Sequence, residues 1–416
     1  MQIAYLDDKK LTERSRTRLS ARLEDYAGEL VKWRAAPATQ RPEYALYHGV
    51  QPEVAATLEQ ITDRLGAVKE VLLLGIGGSS LGVEAVHDAL PNTACTLTVI
   101  DALAPSALQA VLTQLQRRRS LQSLAICIVS KSGTTTETMV NASVILSALE
   151  DRFGAAVYER VVCISDQGSP LLRFAKRQKA SVATMPAAIG GRYSVGTEVG
   201  LVPLALLGHD ARAFAAGIAA ATEPAHVAHV SQAAARLAWY ITQGYQHYNF
   251  FAFHPDLYKL GAWYRQLQAE SLGKSKTRSG TRWKKGLVPT ISTPVELHSM
   301  GQLYLSGYPG VYTDFVAFAD EVTDQPIPRR GLAKAYARHS VAEVATALYG
   351  GVLGAYQERA LPYRSTLLNA DETTLGRLIG SRLLEVMMVG RILDLNPFDQ
   401  PNVELYKNKT RGLLGL

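Results

Sequence analysis

The chain has 416 residues, 47% of them hydrophobic and 19% charged, with a formal net charge of +7. Two packed lobes fit that length at about 100–200 residues per domain, and the composition excludes a largely disordered protein. The opening MQIAYLDDKK places acids where a signal peptide needs a basic and then an apolar stretch, and no apolar run approaches the roughly 18 residues of a membrane span, so a soluble cytoplasmic protein is expected. Cys95, Cys127 and Cys163 are scattered through strand-like apolar runs and read as buried thiols in a reducing compartment. A positive charge suits nucleic acid, an anionic membrane or an anionic small molecule. The dense basic stretch 274–285 (KSKTRSGTRWKK) contains Trp283 but lacks the repeated aromatics of a single-strand binder. A small anion is therefore the expected ligand, with neither nucleic acid nor membrane as partner.

In chain order, residues 1–35 read as an N-terminal helical arm. Short apolar or β-branched runs then alternate with longer helical ones, the pattern of βαβ units and a parallel sheet in an α/β protein. Strands are expected at 71–74, 96–100, 124–129, 161–164 and 181–184. After an alanine-rich helical bridge near 210–243, a second series is expected around 250–253, 286–291, 311–318 and 363–368. This gives a first domain over 36–209, a second over 210–400 and a C-terminal segment over 401–416, a duplicated architecture without a sequence repeat.

Ligands of open parallel sheets sit beyond the carboxyl ends of the strands, so the loops after strands carry most of the information. Segment 75–82 (GIGGSSLG) opens a helix with glycines that let a ligand approach the backbone and amides that face an anion. It resembles a dinucleotide fingerprint with Asp101 about 20 residues on, but Ser80 stands in place of the third glycine. Segment 129–138 (VSKSGTTTET) supplies Ser130, Lys131, Ser132, Thr134, Thr135 and Thr136 before a helix. Hydroxyls, an ammonium and free amides together suit a tetrahedral phosphate. The competing reading is a helix cap, with Glu137 completing a capping box from Thr134, but that uses a single hydroxyl. Segment 187–200 (AAIGGRYSVGTEVG) adds paired glycines and the permanent charge of Arg192.

Further on, residues 258–269 (YKLGAWYRQLQA) set Leu260, Trp263, Tyr264 and Leu267 at helical spacing, so Glu270 emerges near a helix end where an acid opposes the dipole. A solvated surface glutamate is the plain alternative. His226 and His229 share a helical face without the third ligand that zinc requires, and no metal is expected.

Taken together these segments resemble the glucose-6-phosphate isomerase family. The family's first signature looks like 187–200, and its second resembles 394–407 (DLNPFDQPNVELYK), with Phe398, Asp399, Gln400, Val403, Glu404 and Lys407. Between them stand ESLGK (270–274) and LHSMG (297–301), and the match runs in order from about residue 71 to 407, as in the shorter bacterial-type forms. Glu198 departs from a usual small residue or proline, and Asn402 from a small residue.

The resemblance implies two sugar-isomerase (SIS) αβα sandwich domains, each with a central mainly parallel sheet flanked by helices. It implies reversible interconversion of glucose 6-phosphate and fructose 6-phosphate through ring opening and a cis-enediol, without a cofactor. It also implies roles: Glu270 shuttles the proton between C2 and C1, Arg192 stabilises the enediolate, and Lys407 assists ring opening beside the ring oxygen. His298 would act in ring opening from the neighbouring subunit of a homodimer, and Gln400 would contact substrate. Gly78, Ser79, Ser130, Lys131, Ser132 and Thr135 would hold the phosphate and nearby hydroxyls. A non-catalytic SIS sensor would have no use for Glu270, His298, Arg192 and Lys407 together, whereas mannose 6-phosphate, using the same base and enediol, stays open as a substrate.

Overall fold

The computed structural model describes residues 1–90, 94–320 and 323–415. Its first sheet contains β2 (Glu70–Leu74), β3 (Thr96–Ile100), β4 (Leu124–Val129), β5 (Val161–Asp166) and β6 (Ser181–Met185), following a short N-terminal strand, β1 (Gln2–Leu6), that belongs elsewhere. These strands are parallel in the order β3-β2-β4-β5-β6. The order reverses between β2 and β4, so the loops after those strands splay apart and leave a crevice, the place where ligands of such sheets bind. The second sheet holds β7 (His247–Ala252), β8 (Val288–Ser292), β9 (Val311–Phe318) and β10 (Tyr363–Leu368), in the order β8-β7-β9-β10-β1. Both sheets thus place their second, first, third and fourth chain-order strands side by side, which is the duplication expected from the sequence.

The N-terminal arm departs from expectation. Glu13–Ser20 and Glu24–Ala35 are helical, but Gln2–Leu6 pairs antiparallel with β10, Gln2 facing Leu367 and Leu6 facing Tyr363. Five residues, QIAYL, with no alternation of apolar and polar positions give little signal by themselves; the strand exists because β10 offers it an edge.

Alternation of side chains explains the layering. Along β2, Val71 and Leu73 face a large core shared by both lobes, while Leu72 and Leu74 face a second core under the helix Thr136–Phe153. Both faces are covered, as a parallel sheet requires. The three cysteines are buried free thiols, and burial pushes the Cys163 thiol up to about 12. The lobes meet where the helix Tyr258–Leu272 packs on the helix Leu81–Ala89. Among the described residues, no helix is long and apolar enough to cross a membrane.

Two polar contacts tie this frame together. Inside the second lobe, Arg364 on β10 binds Asp314 on β9 at 2.7 Å and Glu385 at 2.8 Å, while Arg382 reaches Asp314 at 2.9 Å and Glu385 at 3.1 Å. Tyr264, on the helix that ends near Glu270, donates to Glu385 at 3.2 Å, and Tyr248 donates to Asp314. Burial alone would raise the Asp314 pKa, but the guanidinium groups of Arg364 and Arg382 outweigh it and hold the carboxyl below its ordinary range. The second contact accounts for Glu198: its carboxylate pairs with His48 at 2.9 Å, both side chains being 6% exposed. An acid is also favoured there by the dipole, since Glu198 opens the helix Glu198–Leu206.

Between the lobes, His87 Nδ1 lies 3.0 Å from His209 Nε2, and His209 Nδ1 lies 3.3 Å from Glu372. Burial lowers both imidazole pKa values below 6.5; the neighbouring ring reinforces this at His87, while Glu372 partly opposes it at His209. The stability from this neutral pair is therefore present above pH 6.5 and is lost as pH falls through the lowered folded values.

Breaking the buried ion cluster by Arg364→Met leaves Asp314 and Glu385 to share the single charge of Arg382 and should destabilise the protein by about 3–5 kcal/mol in urea unfolding. On acidification from about pH 7 to pH 5 the denaturation midpoint should fall, and His87→Gln should lessen that fall.

Candidate active site

Three short segments of the first lobe converge before the second lobe is reached. The strand β2 ends in the turn Gly77–Ser79, and a side chain at Gly78 would lie within 3.0 Å of the Gly191 and Arg192 backbone. Gly78 is therefore where one loop is pressed against the other, a contact no Cβ allows. Ser79 sits half-buried in the same turn.

The hydroxyl loop after β4 is ordered by its own side chains. Ser130 Oγ lies 2.9 Å from Thr135 Oγ1, and Ser132 Oγ lies 2.9 Å from Thr134 Oγ1. Thr135 occupies the N-cap of the helix Thr136–Phe153 but its side chain does not cap it. The simple capping reading of this loop is thus not what its hydroxyls do, and the first-turn amides of that helix remain available to an anion. Lys131 behaves differently from expectation: its ammonium donates to the carbonyls of Ala187 and Ile189 at 2.9 and 2.8 Å. It braces the hydroxyl loop against the Arg192 segment, with one of its three N–H groups left for a ligand.

Arg192 joins these loops to the second lobe. It is 3% exposed, and every donor of its guanidinium has an acceptor. Nε donates to Ser271 at 2.8 Å; Nη1 donates to Gln400 Oε1 at 2.6 Å and Glu270 Oε2 at 3.3 Å; Nη2 donates to the carbonyls of Pro397 at 2.5 Å and Asp399 at 3.1 Å. Tyr193 supports the same cluster through Ser271 at 2.9 Å.

Glu270 lies in the last turn of the helix Tyr258–Leu272, its side chain 30% exposed. Gln266, one turn earlier, donates to Glu270 Oε1 at 3.0 Å. One carboxylate oxygen is thus held by an amide and the other by Arg192, while each keeps a free lone pair. The carboxylate lines a cleft of about 680 Å³ with Lys274, Lys276, Arg278, Asp399 and Gln400. Part of the basic stretch singled out in the sequence therefore forms one wall of this cleft.

His298 and Lys407 are not brought into this group within the chain. His298 follows the turn Pro294–Leu297 and is exposed; Lys407, on the terminal helix Glu404–Leu413, pairs with Glu404 at 2.7 Å. Among the described residues neither lines the cleft or bonds to Arg192, Glu270 or Gln400. Conversely, Gln266, Ser271 and Tyr193 belong to the cluster and were missed. Gln266 had a signal, its four-residue spacing from Glu270; the carbonyls of Pro397 and Asp399 carry none.

The sequence profile of the family described as "Phosphoglucose isomerase" matches residues 57–325. The chain belongs to the phosphoglucose isomerase family. It is 31% identical over 387 residues to a protein of Streptococcus pyogenes serotype M6 named glucose-6-phosphate isomerase, covering 87% of this chain and 84% of that one. A protein of Haloarcula marismortui named probable glucose-6-phosphate isomerase is 29% identical over 385 residues, with 89% and 84% covered. Among solved structures, a hypothetical protein from Thermus thermophilus superposes with a TM-score of 0.86 at 26% identity, covering 99% of this chain and 100% of that one. The glucose-6-phosphate isomerase of Chlamydia trachomatis, at a TM-score of 0.81 and 20% identity with 99% and 88% covered, shares the fold.

Because the Gly78 contact holds the first loop against the Arg192 turn, Gly78→Ala should destabilise the protein by about 1–3 kcal/mol. The same substitution should lower catalytic efficiency, measured by denaturant unfolding and steady-state kinetics on the same preparation.

Proposed function

We propose that the chain interconverts glucose 6-phosphate and fructose 6-phosphate, as the names of its relatives say of them. The observation that carries this reading is the Arg192, Glu270 and Gln400 group at the cleft, connected through the 187–192 segment to the hydroxyl loop. A phosphate held by Ser130, Ser132, Thr135 and the helix amides, with Ser79 beside it, leaves the far end of an open hexose at Glu270.

There the Glu270 carboxylate takes the proton from C2 as its electron pair forms the C1–C2 double bond and the charge passes to O1; the proton of O2 is passed to O1, and Glu270 returns the carbon proton to C1 as the carbonyl forms at C2. The proton leaves and returns on one face, so a single base serves both steps. Gln266 and Arg192 fix the two oxygens of that base. Arg192 lies beside the developing enediolate as a fixed charge whose own burial limits its screening by solvent. Gln400 holds a hydroxyl of the substrate once it exchanges its bond with Arg192. C1 is reduced as C2 is oxidised within one molecule, so no external oxidant or reductant enters and acids and bases suffice.

Ring opening needs a donor at the ring oxygen and an acceptor at the anomeric hydroxyl. Lys407 and His298 supply these, His298 from a second copy of the chain in a cytoplasmic homodimer. In support, His298 sits amid exposed apolar side chains, Val295 at 70% with Met300 and Leu303, the kind of surface an interface covers. The terminal helix likewise exposes Leu405, Tyr406 and Leu413.

The test supplies fructose 6-phosphate and detects glucose 6-phosphate with a coupled dehydrogenase. The wild type should turn over, and Glu270→Gln should lower kcat by about 10²–10⁴-fold. An inactive wild type overturns the assignment; near-normal Glu270→Gln kinetics overturns the base. Mixing unfolded Glu270→Gln and His298→Ala chains and refolding them together should restore turnover, since one site of the mixed dimer then has both groups intact. No recovery would place His298 within its own subunit or outside the reaction.

A further inference from the structure

The ESLGK segment ends in a lysine to which the reaction above gives no task. Its placement begins with the backbone. The helix Tyr258–Leu272 stops at Gly273, whose φ of −76° and ψ of 67°, with the Lys274 N–H bonded to Leu272 O at 2.9 Å, form an inverse γ-turn. A Cβ at Gly273 would collide with the carbonyl of Ala269, so the tight reversal depends on glycine there. The reversal folds Lys274 back over the helix end.

There its ammonium bonds to the Glu270 carbonyl at 2.9 Å, to Asp399 Oδ1 at 2.8 Å and to the Asp399 carbonyl. These contacts use all three N–H groups, and the side chain is 10% exposed. Asp399 is fixed in turn, since its Oδ2 accepts from Asn396 at 2.9 Å and its carbonyl also accepts from Arg192. The next residue is Gln400, whose Oε1 reaches Arg192 at 2.6 Å, and the chain then enters the helix carrying Lys407.

We propose that Lys274 is a positioning residue: it clamps the end of the helix bearing Glu270 to Asp399, and so sets Gln400 and the exit of the chain toward Lys407 relative to the base. It does not exchange protons with substrate, because its donors are occupied by the carbonyls and the carboxylate it binds. The inference rests on the reading of Glu270 as base and Gln400 as substrate contact. Burial lowers the Lys274 pKa, with Asp399 opposing that effect, which is the expected state of a cation held by its partner rather than by water.

The experiment is a double-mutant cycle on the full-length enzyme. Lys274→Met, Gln400→Ala and the double variant are assayed for fructose 6-phosphate turnover, with denaturation midpoints measured in parallel. Lys274→Met should lower kcat/KM by about tenfold to a hundredfold, the effect of displacing reacting groups by a fraction of an ångström to an ångström. In that background Gln400→Ala should cost little more, because Gln400 has already lost its setting. Lys274→Arg, which keeps the charge but not the compact three-way fit, should recover part of the loss.

A purely structural lysine would shift the denaturation midpoint while the two losses multiplied. Multiplying losses, or a Lys274→Met enzyme within about twofold of wild type, far short of the displacement effect, overturn the proposal. If Lys274→Met does not fold, the same cycle is read with Lys274→Arg. Glu270→Gln separates the outcomes: if it stays active the base assignment fails, whereas an inactive Glu270→Gln beside a normal Lys274→Met defeats only this inference.

Discussion

The buried guanidinium of Arg192 is the constraint on which the rest of the site depends. A permanent charge at 3% exposure is tolerable only when its donors are matched, and here the acceptors come from separate parts of the chain: Ser271 and Glu270 from one helix, and Pro397, Asp399 and Gln400 from the C-terminal turn. The arrangement of the proposed catalytic groups and the docking of the lobes are thus one set of hydrogen bonds. Arg192 cannot be removed without loosening both, and lysine, with a single compact ammonium, cannot replace a five-donor fork. Kinetic losses on altering it will mix electrostatics with geometry.

Much of the fold was legible because it rests on local periodicity. The nine strands expected from alternating apolar runs form where they were read, within a few residues. The strand that escaped notice, Gln2–Leu6, is created by a distant edge. The site divides in the same way. Arg192, Glu270 and Gln400 stand together, each flagged by a motif, whereas Lys131, assigned to phosphate by its charge and by the family resemblance, is found bonded to the carbonyls of Ala187 and Ile189. Backbone carbonyls have no sequence identity, so the acceptors that capture Lys131, Lys274 and Arg192 could not be read in advance. Glu198 shows the reverse case: an apparent departure from the family pattern is answered by His48, a residue 150 positions earlier.

Duplication of the strand order did not bring duplication of chemistry. The crevice beyond β2 and β4 presents hydroxyls and helix amides; the corresponding crevice beyond β7 and β9, about 490 Å³, is walled mostly by apolar side chains such as Phe253, Phe318 and Tyr349, with His254, Asp324 and Thr346 among its polar groups. In the second lobe the helix Val341–Glu358 has its first turn answered internally, by Ser340, Glu343 and Asp324. The second sheet contributes support for Glu270, the proposed base, instead, through the ion cluster that holds Tyr264 and the helix leading to Glu270.

The pairing of β1 with β10 bears on how the protein is made. During synthesis the first sheet can close from neighbouring βαβ units as they emerge, but Gln2–Leu6 must wait for Tyr363–Leu368, the last strand among the described residues. Until then β1 lacks its partner, the second sheet is unfinished, and the core that Val71 and Leu73 share with the second lobe is incomplete. Pairing Gln2 with Leu367 is a contact of very high sequence separation, the kind that loop-closure entropy makes slow to form.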